Sequence, residues 1–154
     1  MSQQALENVF QEWQGNEALA EQMIPLVGQL YRQNNVVATM FGRSLIKRSV
    51  IRILKDHRFV RKLEGTELSV ENTYPILKSM VELNLGPAHV DVGKLGVMFK
   101  RQGGGDVEAF LRKELHEIID GYQPGASTGE PQDVVLYGFG RIGRLLARVM
   151  VEKA

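Results

Sequence analysis

Along most of the chain the apolar residues recur at intervals of three and four, the spacing that gathers side chains on one face of a helix. Residues 5–14 carry Leu6, Val9, Phe10 and Trp13 in this way, and Gly15 followed by Asn16 offers a stop and a new N-cap. The spacing resumes over 17–33 with Leu19, Met23, Leu26, Val27 and Leu30. Pro25 interrupts it, and an interior proline costs roughly 3 kcal/mol, so a kink or a fresh helix start is expected there. Residues 36–41 fit strand and helix equally. The strongest pattern covers 44–63, where Ile46, Val50, Ile53, Leu54, His57 and Val60 share one face and Lys47, Arg48, Arg52, Lys55, Arg58 and Lys62 spread over the other. Further helices are predicted over 72–83, with Pro75 in the first turn, and over 90–100 despite Gly93 and Gly96. After the break at Gly103, Gly104 and Gly105, Asp106 is the N-cap of a helix that carries Val107, Phe110, Leu111, Leu115, Ile118 and Ile119. The expected architecture is mainly α: an all-helical domain over 1–120, a flexible linker rich in Gly, Pro, Ser and Thr over 121–132, and a different kind of element over 133–154.

In that last element the pattern changes. Val134, Val135 and Leu136 form a short apolar run without polar alternation, as in a parallel strand buried on both faces. Gly138-Phe139-Gly140-Arg141-Ile142-Gly143 follows, and then Leu145, Leu146, Val149 and Met150 at helical spacing. Strand, G-x-G-x-x-G and helix together open a dinucleotide-binding βαβ unit. Gly138 would allow the tight turn, Gly140 would let a pyrophosphate approach the backbone, and Gly143 would let the helix pack closely. The amides of Arg141 and Ile142 would face the phosphates at the positive end of the helix. That dipole is worth only about 0.3 to 2 kcal/mol, enough to position a cofactor but not to hold one unaided. Gly138, Phe139, Gly140, Arg141, Ile142 and Gly143 are therefore the expected cofactor-binding residues. The acid that would bind the ribose belongs about 20 residues beyond the glycine turn, so NAD and NADP stay equally open.

The non-glycine positions narrow the motif further. Tyr137-Gly138-Phe139-Gly140-Arg141-Ile142-Gly143-Arg144-Leu145 resembles the opening of glyceraldehyde-3-phosphate dehydrogenase, departing at Tyr137 where the family commonly has Asn. That likeness covers about residues 133–154. Phrases upstream, such as 23–31 and 42–46, resemble the N-terminal extension of a long bacterial form of the enzyme. The resemblance implies a Rossmann α/β cofactor domain, NAD or NADP as cofactor, glyceraldehyde 3-phosphate as substrate, a homo-oligomer and a cytoplasmic location. It also implies oxidation of the aldehyde through a cysteine thiohemiacetal, with a downstream histidine as base. This chain has no cysteine, and its three histidines all precede the fingerprint. Catalytic residues are therefore expected in the parent enzyme and none in these 154 residues, which are expected to be an inactive N-terminal piece.

Composition adds bounds. At 44% hydrophobic and 24% charged the chain is ordinary for a folded globular protein. A net charge of +1 gives no global attraction to nucleic acid. No apolar run approaches the roughly 18 residues needed to span a membrane. Charge is uneven, however: between Arg43 and Lys62 eight Lys or Arg residues face one acid, Asp56. A solvated helix face explains this most simply, and contact with an anion or another subunit is the alternative. Only Phe59 interrupts the basic run, so the interleaved aromatics that stack bases are missing. His57, on the apolar side, is expected to be buried and hydrogen-bonded. His89 and His116 have no partner at metal-ligand spacing, and no metal site is expected. Trp13 and Tyr31 read as core or interface anchors. A second reading makes the helical domain itself the functional object, an assembly or regulatory module that contacts an enzyme core, a subunit or an anionic ligand through its basic helix.

Overall fold

A computed structural model describes residues 3–120 and 134–153, which fall into two compact units, Met1–Pro124 and Gly125–Ala154. The expected linker, 121–132, lies outside the described residues.

The first unit is mostly helical, but it is not all-helical. It is built around a three-stranded sheet of order β2-β1-β3. Strand β1 (Val36–Met40) pairs antiparallel with β2 (Arg43–Ser44) and parallel with β3 (Ala88–Asp91), Val36 opposite Ala88 and Ala38 opposite Val90. Parallel pairing needs a long crossover, here supplied by helices α2 (Val50–Glu64) and α3 (Val70–Glu82). Helix α1 (Gln3–Asn34) precedes the sheet, and α4 (Val92–Arg101), α5 (Val107–Glu114) and α6 (His116–Asp120) follow it. The core joins Met23, Val27 and Leu30 of α1, Val36 and Ala38 of β1, Ile53 and Val60 of α2, Ile76, Leu77 and Met80 of α3, and Leu111 of α5.

Three sequence expectations are corrected. Helix α1 runs through both Gly15-Asn16 and Pro25 as one 32-residue helix, because Ala20, Met23, Val27 and Leu30 keep a single stripe buried on both sides of the proline. The pattern over 44–63 does not begin a helix at Ser44. Phe41 and Gly42 take positive φ (48° and 77°) in a tight turn that folds β2 back on β1, and α2 starts only after Ser49 caps the amide of Arg52. The helix expected from residue 90 is preceded by β3, whose last residue, Asp91, caps α4 at Lys94 (3.0 Å).

Other expectations hold. Asp106 accepts from the amides of Glu108 and Ala109, although the helix it starts is interrupted at Leu115. Helix α3, by contrast, starts at Val70 and not at 72, behind an unexpected reciprocal cap in which Ser69 N–H donates to Asn72 Oδ1 (3.1 Å), so Pro75 lies inside the helix and not in its first turn.

In the second unit the described residues contain helix α7 (Arg141–Lys153) and no strand. Residues Val134, Val135 and Leu136 carry no regular secondary structure, against the strand expected from their pattern; Val135 is 88% exposed. A single apolar run has no backbone partners of its own, and only neighbouring strands turn it into a strand.

Candidate dinucleotide-binding site

The glycine phrase folds into a loop that closes on the N-terminus of α7, and its three glycines stand in three different environments. Gly138 has φ +99°, a conformation that L side chains rarely adopt. Gly143, in the first turn of α7, lies so near the Gly138 carbonyl that a Cβ there would collide with backbone. Gly140 faces open space, with nothing within 4 Å of where a Cβ would stand. The loop is thus pinned to the helix at Gly138 and Gly143 and left clear at Gly140. The amide of Arg144 donates to the Gly140 carbonyl (3.1 Å), which leaves the amides of Arg141 and Ile142 at the helix start, where neither has an i−4 partner within the helix. A concavity of about 520 Å³ is lined by Tyr137, Gly138, Gly140, Arg141, Ile142 and Gly143 among others. Of the expected cofactor-binding residues it brings together all but Phe139, which is 66% exposed.

The surroundings of this loop are apolar and uncovered. Ile142, Leu145, Leu146 and Val149 are all exposed, although their spacing makes α7 strongly amphipathic. Among the described residues of the second unit the glycine turn and its helix are present, and no strand is.

The basic stretch of the first unit resolves into two sets of residues. Arg43 is structural: it donates to Asp56 Oδ1 at 2.9 Å and lies over the ring of Phe59 at 3.7 Å. Arg52 approaches the same carboxylate oxygen (3.5 Å), and Arg48 Nε donates to the Ser44 carbonyl (2.7 Å). Asp56 itself is buried. Lys47, Lys55, Arg58, Arg61 and Lys62 are exposed, and no ion pair among the described residues involves any of these five.

Next to Asp56, His57 is buried as its pattern implied. Its Nδ1–H donates to the Ile53 carbonyl (2.8 Å) and its Nε2 lies 2.7 Å from Thr73 Oγ1. Burial depresses its pKa below the usual 6.5, partly offset by the bond to Ile53 and by the charge of Asp56. The arrangement ties α2 to α3 and serves packing.

Sequence reasoning missed one organising carboxylate. Besides capping α4, Asp91 accepts from Phe41 N–H (3.0 Å) and Gly42 N–H (2.9 Å), holding the left-handed turn after β1. Its signal was an Asp just before a helical pattern, but the turn it also serves lies 50 residues away. Among the described residues no cluster of His, Asp or Glu could hold a metal ion, and no helix is long and apolar enough to cross a membrane.

No protein-family model matches the chain. Comparison with curated proteins finds 58% identity over 134 residues to a protein of Pseudomonas aeruginosa (strain UCBPP-PA14) named "Glyceraldehyde-3-phosphate dehydrogenase-like protein". The chain is a relative of that dehydrogenase-like protein. The match takes in 85% of this chain and 29% of the relative, so the chain spans less than a third of the relative's length, consistent with an N-terminal part of such a protein. A match that long on a 154-residue chain has to include most of the helical unit. The helices are therefore shared with the dehydrogenase-like relative and do not belong to this chain alone.

Proposed function

We propose that these residues form the N-terminal part of an NAD(P)-dependent glyceraldehyde-3-phosphate dehydrogenase, with a helical extension before the first turn of its cofactor domain. The observation that carries the reading is the shape of the glycine loop: a left-handed φ at Gly138, Gly143 set against the Gly138 carbonyl, and clear space at Gly140. A loop selected only for turning needs no clearance at its middle glycine; a loop that lets a pyrophosphate reach backbone amides does. In the whole protein the cofactor's phosphates would lie over Gly140, Arg141 and Ile142, with Gly138, Phe139 and Gly143 shaping the turn. The cofactor would supply the hydride acceptor for aldehyde oxidation. The nucleophile, the base and the ribose-binding acid belong to sequence beyond Ala154, so the 154-residue chain is inactive by itself. NAD or NADP and glyceraldehyde 3-phosphate are the proposed ligands and the cytoplasm the proposed location.

Gly140→Ala tests this reading cleanly, because nothing lies within 4 Å of where the added Cβ would stand. In a protein that continues past Ala154, the substitution is expected to weaken NAD or NADP binding at least about tenfold, or roughly 1.4 kcal/mol, while the melting temperature stays unchanged. Equal affinity in wild type and variant would refute the proposed phosphate position.

A further inference from the structure

Thr73 of α3 stands between two acceptors with one hydrogen to give. Its Oγ1 lies 2.7 Å from His57 Nε2 and 3.2 Å from the Val70 carbonyl, and all three residues are buried. The other ring nitrogen of His57 is already committed. Nδ1 lies 2.8 Å from the Ile53 carbonyl, an oxygen that can only accept, so Nδ1 carries a hydrogen whatever the charge of the ring. A neutral His57 then has a bare lone pair at Nε2, and the Thr73 hydroxyl is the donor placed to fill it. A protonated His57 carries a hydrogen at Nε2 instead, which makes Thr73 Oγ1 the acceptor and frees its own hydrogen for Val70. The two charge states demand opposite directions of the same bond.

Packing leaves the hydroxyl hydrogen as the only part that needs to move. Thr73 is fully enclosed and, being β-branched, stiff at χ1. Its Cγ2 lies 3.1 Å from where a Cβ on Gly96 of α4 would stand, so the side chain is held from that side as well. A threonine hydroxyl turned back to the carbonyl three residues earlier is an ordinary helical arrangement. Rotation about the C–O bond therefore carries the hydrogen from one acceptor to the other without displacing a heavy atom. The Val70 carbonyl has two lone pairs and can take the extra donor beside its helical amide.

The proton has a route to the ring. His57 is only 3% exposed, yet it lines a groove of about 1020 Å³ that also reaches the start of α3. Glu12 of α1, Glu67 just before α3 and Glu71 within it bring negative charge to that groove. Arg58, Arg61 and Lys62 of α2 and Lys100 of α4 bring positive charge, so both signs face the ring from the groove. The charge that acts on it most directly is Asp56, its neighbour on α2. Asp56 Oδ1 is bonded to Arg43 (2.9 Å), so the carboxylate favours a proton on the ring without competing for Nε2. We infer that the Thr73 hydroxyl is a two-position donor, which turns from His57 Nε2 to the Val70 carbonyl when His57 takes up a proton and keeps α2 clamped to α3 in both states. Acidification changes the charge inside the clamp and not the contact. The device rests on the helical unit alone and is independent of the proposed cofactor site.

Long-range proton–nitrogen correlation spectra of the 154-residue chain read the tautomer and charge of each histidine ring across a pH series, and the His57 signals are those missing from His57→Gln. Neutral His57 is expected as the Nδ1–H tautomer, the minor form of free histidine. Thr73→Val keeps the branched shape and removes the hydroxyl. A hydrogen bond from a charged N–H is roughly twice as strong as a neutral one, so this variant loses more in the protonated state than in the neutral one. Its His57 is expected to hold the proton about tenfold more weakly, a titration about one pH unit below the wild type. Thr73→Ser keeps the hydroxyl and is expected to titrate with the wild type. A neutral wild-type ring in the Nε2–H tautomer overturns the inference, as does a Thr73→Val ring that titrates with the wild type or above it. If Thr73→Val does not fold, the tautomer of the wild-type ring decides.

Discussion

His57 shows how much one side chain can reveal about conditions. Its pKa is depressed in the folded unit by burial, so on acidification the unfolded chain takes up the proton first. The contribution to stability is complete above about pH 6.5 and falls as the pH drops from there toward the depressed folded value. Denaturant unfolding of wild type and His57→Gln between pH 7.5 and 5 should show a steeper loss on acidification in the wild type. Parallel curves would mean that the histidine is not held neutral. The neighbouring ion pair makes a second prediction. Asp56 is buried and Arg43 is half-exposed at 2.9 Å, so Arg43→Ala leaves a buried carboxylate with only the more distant Arg52. A loss of about 2 to 3 kcal/mol is expected from equilibrium unfolding, smaller than for a fully buried pair because solvent screens the arginine. Arg43→Lys should recover only part of it, since an ammonium cannot reproduce the planar stacking on Phe59.

Among the elements, α1 carries the clearest local conflict. Pro25 is exposed in the middle of a 32-residue helix, where it removes a backbone donor and crowds the preceding turn. Pro25→Ala is expected to stabilise the unit by about 1 to 2 kcal/mol, the helix gain being partly offset by the freer unfolded chain; an unchanged or lower denaturation midpoint would contradict the structure of α1. The same helix shows where the sequence could be read and where it could not. The burial of Met23, Val27 and Leu30 was legible from their spacing, whereas continuity through Gly15 and Pro25 was not, because it comes from tertiary packing that overrides local stop signals. The cap at Asp106 was legible as a residue type at a helix start. The sheet was less so: β1 looked ambiguous over 36–41, and β3 was absorbed into the start of the α4 pattern because strand pairing partners lie some fifty residues apart. The turn that moved the start of α2 from Ser44 to Val50 needs a positive φ at Phe41, a position that propensity does not assign to phenylalanine. At the glycine loop the order of turn and helix was legible, with α7 beginning at Arg141 behind Gly138 and Gly140. The strand before it was not realised, since three apolar residues fix a strand only when a neighbour pairs with them.

For the whole molecule, each of the two units leaves apolar side chains exposed. The helical unit has a closed core and exposed Leu6, Val9 and Phe10 at the start of α1; the glycine-loop unit has a formed turn and exposed Ile142, Leu145, Leu146 and Val149 on α7. Identity of 58% over 134 residues means that the helices are shared with a dehydrogenase-like protein, and the clear space at Gly140 is what the proposed phosphate position rests on. The central claim is that this loop is the first part of a cofactor site whose remainder lies in sequence beyond Ala154. Isothermal titration of NAD and NADP into the 154-residue chain and into the continuing protein, side by side, tests it most directly. The longer protein is expected to bind one of the two dinucleotides with a micromolar dissociation constant and the 154-residue chain to show no saturable heat, whereas equal binding by both, or binding by neither, would contradict the account.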